Sequence, residues 1–356
     1  MFAFRWKTLD KCIADNESLA TWELTALFRG VSDVEGLAVD RDAAIEFYIS
    51  DQLPEENRED YRAEPQLAED EMFEVFISDL TAKVNERIDA LGAHYPLTLD
   101  ENGRLAVKSI ADISAVGGAY LGLQFYRALS AGLIEIDEAD EADEAERSRL
   151  KEKFNRWFPK LFEIIAGYAV SGHHLAVPHV TAHCRSSARL HKMLTRLCAN
   201  AGAGRAKRYE DWSLEQLASN DGGIDCIAHR GGPGVPGNSY FLLVGATVQS
   251  AQINNKIVDA DSKRRFSDYF AERPAVFQGA LVRPLDSDAL TIDKCRVRDC
   301  LLYTYDEVWR NIAHRPEGNG EQRYFARLDA RARHLLKLLD GAVLVDGFDH
   351  YRLVAA

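Results

Sequence analysis

Apolar residues recur three and four positions apart from Glu71-Met72-Phe73-Glu74-Val75-Phe76-Ile77 through Ile88 to Leu91, which predicts a helix with one buried side. Tyr120, Leu121, Leu123, Phe125, Tyr126 and Leu129 predict a second, buried helix over residues 120–133. Between them, residues 95–105 open on Pro96 and carry an Asn102-Gly103 turn flanked by alternating apolar positions, the pattern of a small hairpin. Residues 1–134 therefore read as mainly helical. Further on, Phe154, Trp157, Phe158, Leu161, Phe162, Ile165 and Tyr168 make one broad apolar side of a long helix over 153–170. A shorter helix over 186–199 buries Leu190, Leu194 and Leu197.

The period then changes. Gly223 to Ala228 is a short β-rich stretch, followed by the turn-dense Arg230-Gly231-Gly232-Pro233-Gly234-Val235-Pro236-Gly237-Asn238. Ser239 to Val248 is a continuous apolar run, as expected of a strand covered on both faces. A polar helix starting near Gln249 carries Lys256. Residues 275–283 read as a third strand, and 301–312 and 324–339 as the last helices. The expected class is α/β: a helical N-terminal domain followed by a mixed-sheet core.

Charge refines this picture. The chain of 356 residues has 43 basic and 56 acidic residues, a net charge of −13, which excludes general polyanion binding by bulk attraction. The acids concentrate in Glu135, Asp137, Glu138, Asp140, Glu141, Asp143, Glu144 and Glu146. That run reads as a solvated helix face or linker and marks the expected boundary between domains 1–146 and 147–356. By contrast, no acid occurs between Ser171 and Tyr209. There Arg185, Arg189, Lys192 and Arg196, spaced four, three and four apart, share one helix face, and Arg205, Lys207 and Arg208 follow. The strip is either an ordinary solvated face or a set of phosphate contacts. The six cysteines fall in no CxxC or zinc spacing, the N-terminus has no secretory pattern, and no apolar run reaches membrane-spanning length. A cytoplasmic protein with reduced thiols and no membrane contact is expected.

Three residues carry candidate chemistry. An acid in a buried strand is costly unless a cation or metal pairs with it. Asp225, between Ile224 and Cys226-Ile227, is such an acid. Lys256 follows on the helix after the next strand. Glu163 sits among Leu161, Phe162 and Ile164 on the long helix. Carboxylates to hold Mg²⁺ and a lysine near the attacking water are what metal-assisted phosphodiester cleavage needs.

The series of a helix glutamate, Asp221-Gly222-Gly223-Ile224-Asp225, and Leu242-Leu243-Val244-Gly245-Ala246-Thr247-Val248-Gln249-Ser250 leading to Lys256 resembles the PD-(D/E)xK restriction-endonuclease-like superfamily. It is most similar to the branch whose lysine has moved from the strand to the following helix, over roughly residues 154–310. The resemblance implies a restriction-endonuclease-like core. It also implies Mg²⁺ (or Mn²⁺) on Glu163 and Asp225, Lys256 as the water-positioning group, and DNA on the Arg185–Arg196 strip. A setting in bacterial antiphage defence, with a protein partner from the same system and an oligomer as a further option, is implied as well. Ala246 departs from the pattern, standing where glutamine or glutamate is usual; Gln249 faces away unless the strand has ended or bulged there, and is a weak substitute. His229 falls on the same strand face as Asp225, as either a strand-end histidine or a group near the metal. Two readings stay open: a metal-dependent endonuclease, and a nuclease-fold subunit that binds DNA or a partner without cutting. No P-loop, dinucleotide fingerprint, Gly-x-Ser-x-Gly or His-Glu-x-x-His supports another enzyme class.

Overall fold

The computed structural model describes residues 3–6, 22–24, 26–27, 31–33, 65–130, 134–137, 144–174, 177–181, 184, 186–220, 222–230, 240–247, 253–260, 266–273, 276–283, 289–313, 326, 329–330, 332–334, 337, 342–347 and 350–355. Arg185, Asp221 and Gln249 fall outside them. In chain order the elements are β1 (Ala3–Trp6), β2 (Val31–Asp33), α1 (Pro65–Leu91), β3 (Leu97–Leu99), β4 (Arg104–Val107), α2 (Ala115–Ser130), β5 (Ile134–Asp137) and α3 (Glu144–His174). Then come β6 (Val177–Val180), α4 (Ser187–Ala201), β7 (Arg205–Ala206), α5 (Leu214–Ala218), β8 (Cys226–Arg230), β9 (Tyr240–Ala246), α6 (Ile253–Ala260), β10 (Phe270–Glu272) and β11 (Val276–Val282). The last are α7 (Ala289–Val297), β12 (Cys300–Tyr303), α8 (Tyr305–Ala313), β13 (Ala342–Gly347) and β14 (His350–Ala355).

Two compact units result: residues 1–158 with 329–356, and residues 159–328. The division falls inside α3, between Phe158 and Pro159, where the proline removes a backbone donor from the helix. The acidic run at 135–146, expected to mark the boundary, instead contributes the end of β5 and the start of α3.

The first unit contains both predicted helices, as α1 and α2, together with strands the periodicity does not announce. β13 and β14 form an antiparallel hairpin, β14 pairs with β1, and β1 pairs with β5, so the chain's last strands join its first. The expected hairpin is present as β3–β4, turned through Asp100–Gly103 with Gly103 at φ 73°, and β2 adds to its far edge. At the centre of this unit Glu23 is fully buried. Its Oε1 accepts from the hydroxyls of Tyr95 (2.7 Å) and Tyr120 (2.6 Å), and its Oε2 from Arg87 Nη1 (2.6 Å). Arg87 also donates to the Tyr120 hydroxyl at 2.7 Å and lies over the Tyr120 ring.

The second unit is built on a mixed five-stranded sheet, ordered β12-β11-β9-β8-β6. β9, β11 and β12 run parallel, with α6 and α7 as the crossovers between them; β8 is antiparallel to β9, and β6 to β8. The sequence pattern contains β8, β9 and β11. It misses β6, a four-residue edge strand containing Pro178, whose missing N–H only an edge tolerates. It also reads Leu301-Leu302-Tyr303 as helix, whereas these residues form β12 and the helix begins at Tyr305.

Strand alternation and register place Ile227, Leu243, Gly245 and Leu281 on one sheet face. α4 covers that face with Leu190, Leu194 and Leu197 over Ile227 and Leu243, while Ile257 of α6 packs with Leu281. α4 itself is fixed at both ends. Ser186 caps its N-terminus by accepting from Arg189 N–H, and Gly202 closes it in the left-handed conformation.

The Glu23 network yields a stability prediction. Glu23→Ala removes three buried hydrogen bonds, one of them an ion pair, and should cost about 3–5 kcal/mol by urea unfolding. Breaking the exposed Arg333–Asp329 pair by Arg333→Ala should cost less than about 1 kcal/mol.

Candidate functional site

Asp225 sits just ahead of β8, and its peptide is tied on both sides. Its N–H donates to the Val244 carbonyl of β9 (3.1 Å), and its carbonyl accepts from Thr181 N–H after β6 (3.1 Å). Thr181 Oγ1 donates to the neighbouring Ile224 carbonyl. The chain reaches this position through Gly222 and Gly223, at φ 70° and 80°. Gly222 is irreplaceable on a second count, since a Cβ there would come within 2.9 Å of the Phe266 ring.

Being two residues before Ile227, Asp225 faces the same side of the sheet as α4 and α6. Its side chain is 8% exposed. Lys256 Nζ donates to both carboxylate oxygens, at 2.8 Å to Oδ1 and 2.7 Å to Oδ2, and Ala246 N–H donates to Oδ2 at 2.7 Å. An isolated buried carboxylate would be untenable; a bidentate ammonium and a peptide donor make this one tolerable. Lys256 reaches it because α6 lies almost on the backbone of β9. A Cβ on Gly245 would come 3.0 Å from the Lys256 carbonyl oxygen and 3.4 Å from its Cβ. Any side chain at 245 would push the helix outward.

Ala246 supplies no side-chain ligand, but its peptide N–H holds the Asp225 carboxylate, and any residue except proline could provide that contact. Thr247 N–H donates to the Val282 carbonyl of β11 (3.2 Å) and anchors the end of β9 just past the site.

The structure thus joins two of the three candidate catalytic residues, Asp225 and Lys256. Glu163 lies in the same compact unit on α3, half-buried between the buried Phe162 and Ile164. Among the described residues no group of three or more His, Cys, Asp or Glu side chains is placed to cage a metal ion. Mg²⁺, however, is commonly held by one or two carboxylates and completed by water and substrate phosphate. Asp225 is one such carboxylate, with both its oxygens already engaged by Lys256 Nζ. Arg189, Lys192 and Arg196 are all exposed along α4, opposite its buried leucines. Because α4 and α6 cover the same sheet face, the basic strip and the Asp225–Lys256 pair share one side of this unit.

His229 is not part of that pair. Four residues along β8, at about 3.3 Å per residue, carry it about 13 Å from Asp225. It meets His179 of β6 instead, with His179 Nε2 3.1 Å from His229 Nδ1 and the rings 4.9 Å apart. Local pattern could not find this partner, because His179 lies on the strand that Pro178 disguises. Burial, then the charge of His229, pulls His179 down from 6.5 to about 4.

Comparison with known proteins adds little to these observations. No family model matches the chain, and no curated protein matches it. Among solved structures it is similar to the MspJI restriction endonuclease in complex with a 27-mer oligonucleotide, at 14% identity and a TM-score of 0.26. That match covers 54% of this chain and 36% of the other, so it spans little more than a third of that protein. A likeness of this size carries no argument here. No helix among the described residues is long and apolar enough to cross a membrane.

Two predictions follow from the site. Gly245→Val should lift α6 and cost about 1–3 kcal/mol in urea unfolding, with a matching loss of whatever activity needs Lys256. His179, neutral in the fold down to about pH 4 but protonated below about 6.5 when unfolded, contributes stability that is complete above pH 6.5. That contribution, about 2–3 kcal/mol, is lost as pH falls from 6.5 towards 4. Unfolding free energies across this window should fall more steeply for the wild type than for His179→Gln; equal slopes would remove His179 from the account.

Proposed function

We propose that residues 159–328 form a nuclease-type core that acts on DNA phosphodiesters with Mg²⁺ or Mn²⁺. The observation that carries this reading is the Asp225–Lys256 pair: a carboxylate and a lysine from separate elements, held together at the end of a mixed sheet. In this reading Asp225 holds the ion, with Glu163 as the second carboxylate and substrate phosphate completing the shell. Bound Mg²⁺ supplies Lewis-acid polarisation of the phosphoryl oxygen and a more acidic water. The protein's part is positional. Ala246 N–H and the peptide bonds of Asp225 fix the carboxylate. Lys256 Nζ, three-donor and mobile on its four-carbon stem, turns towards the attacking water and offsets the charge that develops on phosphate. Arg189, Lys192 and Arg196, with Arg185 before them, track the backbone of the duplex.

A second reading rests on a specific observation of its own. Ala246 lacks the usual acid or amide, and Lys256 already engages both oxygens of Asp225. A core so arranged serves equally as a DNA-binding or docking subunit that does not cut, and the net charge of −13 suits a protein partner. Antiphage defence, and with it a partner from the same system, is proposed on the resemblance of residues 221–225 and 242–256 alone.

Plasmid cleavage separates the two. The catalytic reading expects nicking or linearisation in Mg²⁺ or Mn²⁺, none in EDTA, and a loss of at least about a hundredfold in Asp225→Asn with the fold retained. If wild-type protein never cuts in either metal, alone or with its partner, while Arg189→Glu/Arg196→Glu lowers DNA affinity, the non-cutting reading stands. If that double variant binds DNA as tightly as wild type, the strip is an ordinary solvated surface.

A further inference from the structure

Away from Asp225, the same unit holds two thiols that the proposed function does not use. Cys295 lies in the last turn of α7 and Cys300 opens β12. Five residues apart in sequence, they are brought together by a tight reversal. Arg298 N–H donates to the Lys294 and Cys295 carbonyls, Asp299 N–H to that of Arg296, and Asp299 takes the left-handed conformation at φ 52°. Aspartate is among the few non-glycine residues that take this conformation readily, which suits it to closing the turn. The two side chains share a small apolar cluster with Ile257 and Leu281, and the Cys300 thiol donates to the Leu301 carbonyl at 3.6 Å.

We propose that Cys295 and Cys300 form a peroxide-oxidisable dithiol, with Cys295 the attacking thiol and Cys300 the resolving one. The Cys295 thiolate attacks one oxygen of hydrogen peroxide. The O–O bond breaks, hydroxide leaves and takes up a proton as water, and Cys295 becomes a sulfenic acid. The Cys300 sulfur then attacks the Cys295 sulfur, an S–S bond forms, and the sulfenic oxygen departs with the Cys300 proton as a second water. The sum is two thiols and one peroxide giving one disulfide and two waters.

Three features favour Cys295 over the other buried thiols. The hydrogen bond from Cys300 and the charge of Arg283 both lower its pKa, although burial opposes them. Cys198, by contrast, is pushed up by burial to about 11. The segment joining the pair is the exposed one: Val297 is 85% exposed, and Arg296, Arg298 and Asp299 are exposed with it. On this proposal a small oxidant reaches the thiols, themselves only 2% and 8% exposed, by local opening of this exposed turn.

The test is peroxide treatment of the full chain after removal of reductant, then alkylation and peptide mapping under non-reducing conditions. The expected product is a Cys295–Cys300 cross-link that forms at least about ten times faster than any oxidation of Cys198. Cys300→Ser should stop at a sulfenic acid on Cys295 that a carbon nucleophile such as dimedone captures. The cross-link is read on the wild type, so the proposal does not depend on a variant that folds. Recovery of both cysteines as free thiols overturns it, as does oxidation no faster than at Cys198. Cys295 sulfinic acid without a cross-link removes Cys300 as the resolving thiol and overturns it too.

Discussion

The candidate site of the second unit is organised around one largely buried ion pair, Asp225–Lys256. Two charges taken out of water lose several kcal/mol each in hydration, and only close geometry with further hydrogen bonds restores that loss. The Asp225–Lys256 contact has both. Nζ reaches the two carboxylate oxygens, and a peptide N–H from β9 takes another position on Oδ2. Around it the local structure is arranged to keep the charges together. Two left-handed glycines deliver Asp225, main-chain bonds to Val244 and Thr181 hold its peptide, and a glycine in β9 lets α6 approach. A hydrophobic pair in the same place would stabilise the fold as well or better. On the proposed reading, the pair serves chemistry rather than stability.

Much of this site was legible in the sequence, for a physical reason. A carboxylate flanked by Ile224, Cys226 and Ile227 has few tolerable environments, and the intervening turn-rich segment and apolar run fix where the next helix begins. Gly245 and Ala246 are equally visible as residues, but their roles are not. That Gly245 marks a helix–strand contact, and that Ala246 acts through its peptide N–H, depends on a packing distance and a main-chain direction that local pattern does not encode. Glu163 is legible as a carboxylate among the apolar Leu161, Phe162 and Ile164, and Arg185 as a member of a charge run.

The parts that escaped were those set by distant pairing. β13 and β14 find their sheet partner at the opposite end of the chain, and no local period announces it. β6 contains Pro178, which argues against a strand until its edge position is known; with it went His179, the partner of His229. β12 was hidden because leucine and tyrosine serve helix and strand alike. The division into two compact units falls between Phe158 and Pro159, inside a helix whose continuous apolar side gives no local sign of it.

The central claim is that Asp225 is a metal-holding carboxylate kept in readiness by Lys256. A crystal soaked in Mn²⁺ and measured for anomalous scattering tests it most directly. The account predicts a peak about 2.2 Å from an Asp225 carboxylate oxygen, with Lys256 Nζ withdrawn from that oxygen. Asp225 still bonded to Lys256 through both oxygens, with no peak beside it at millimolar Mn²⁺, would contradict the account.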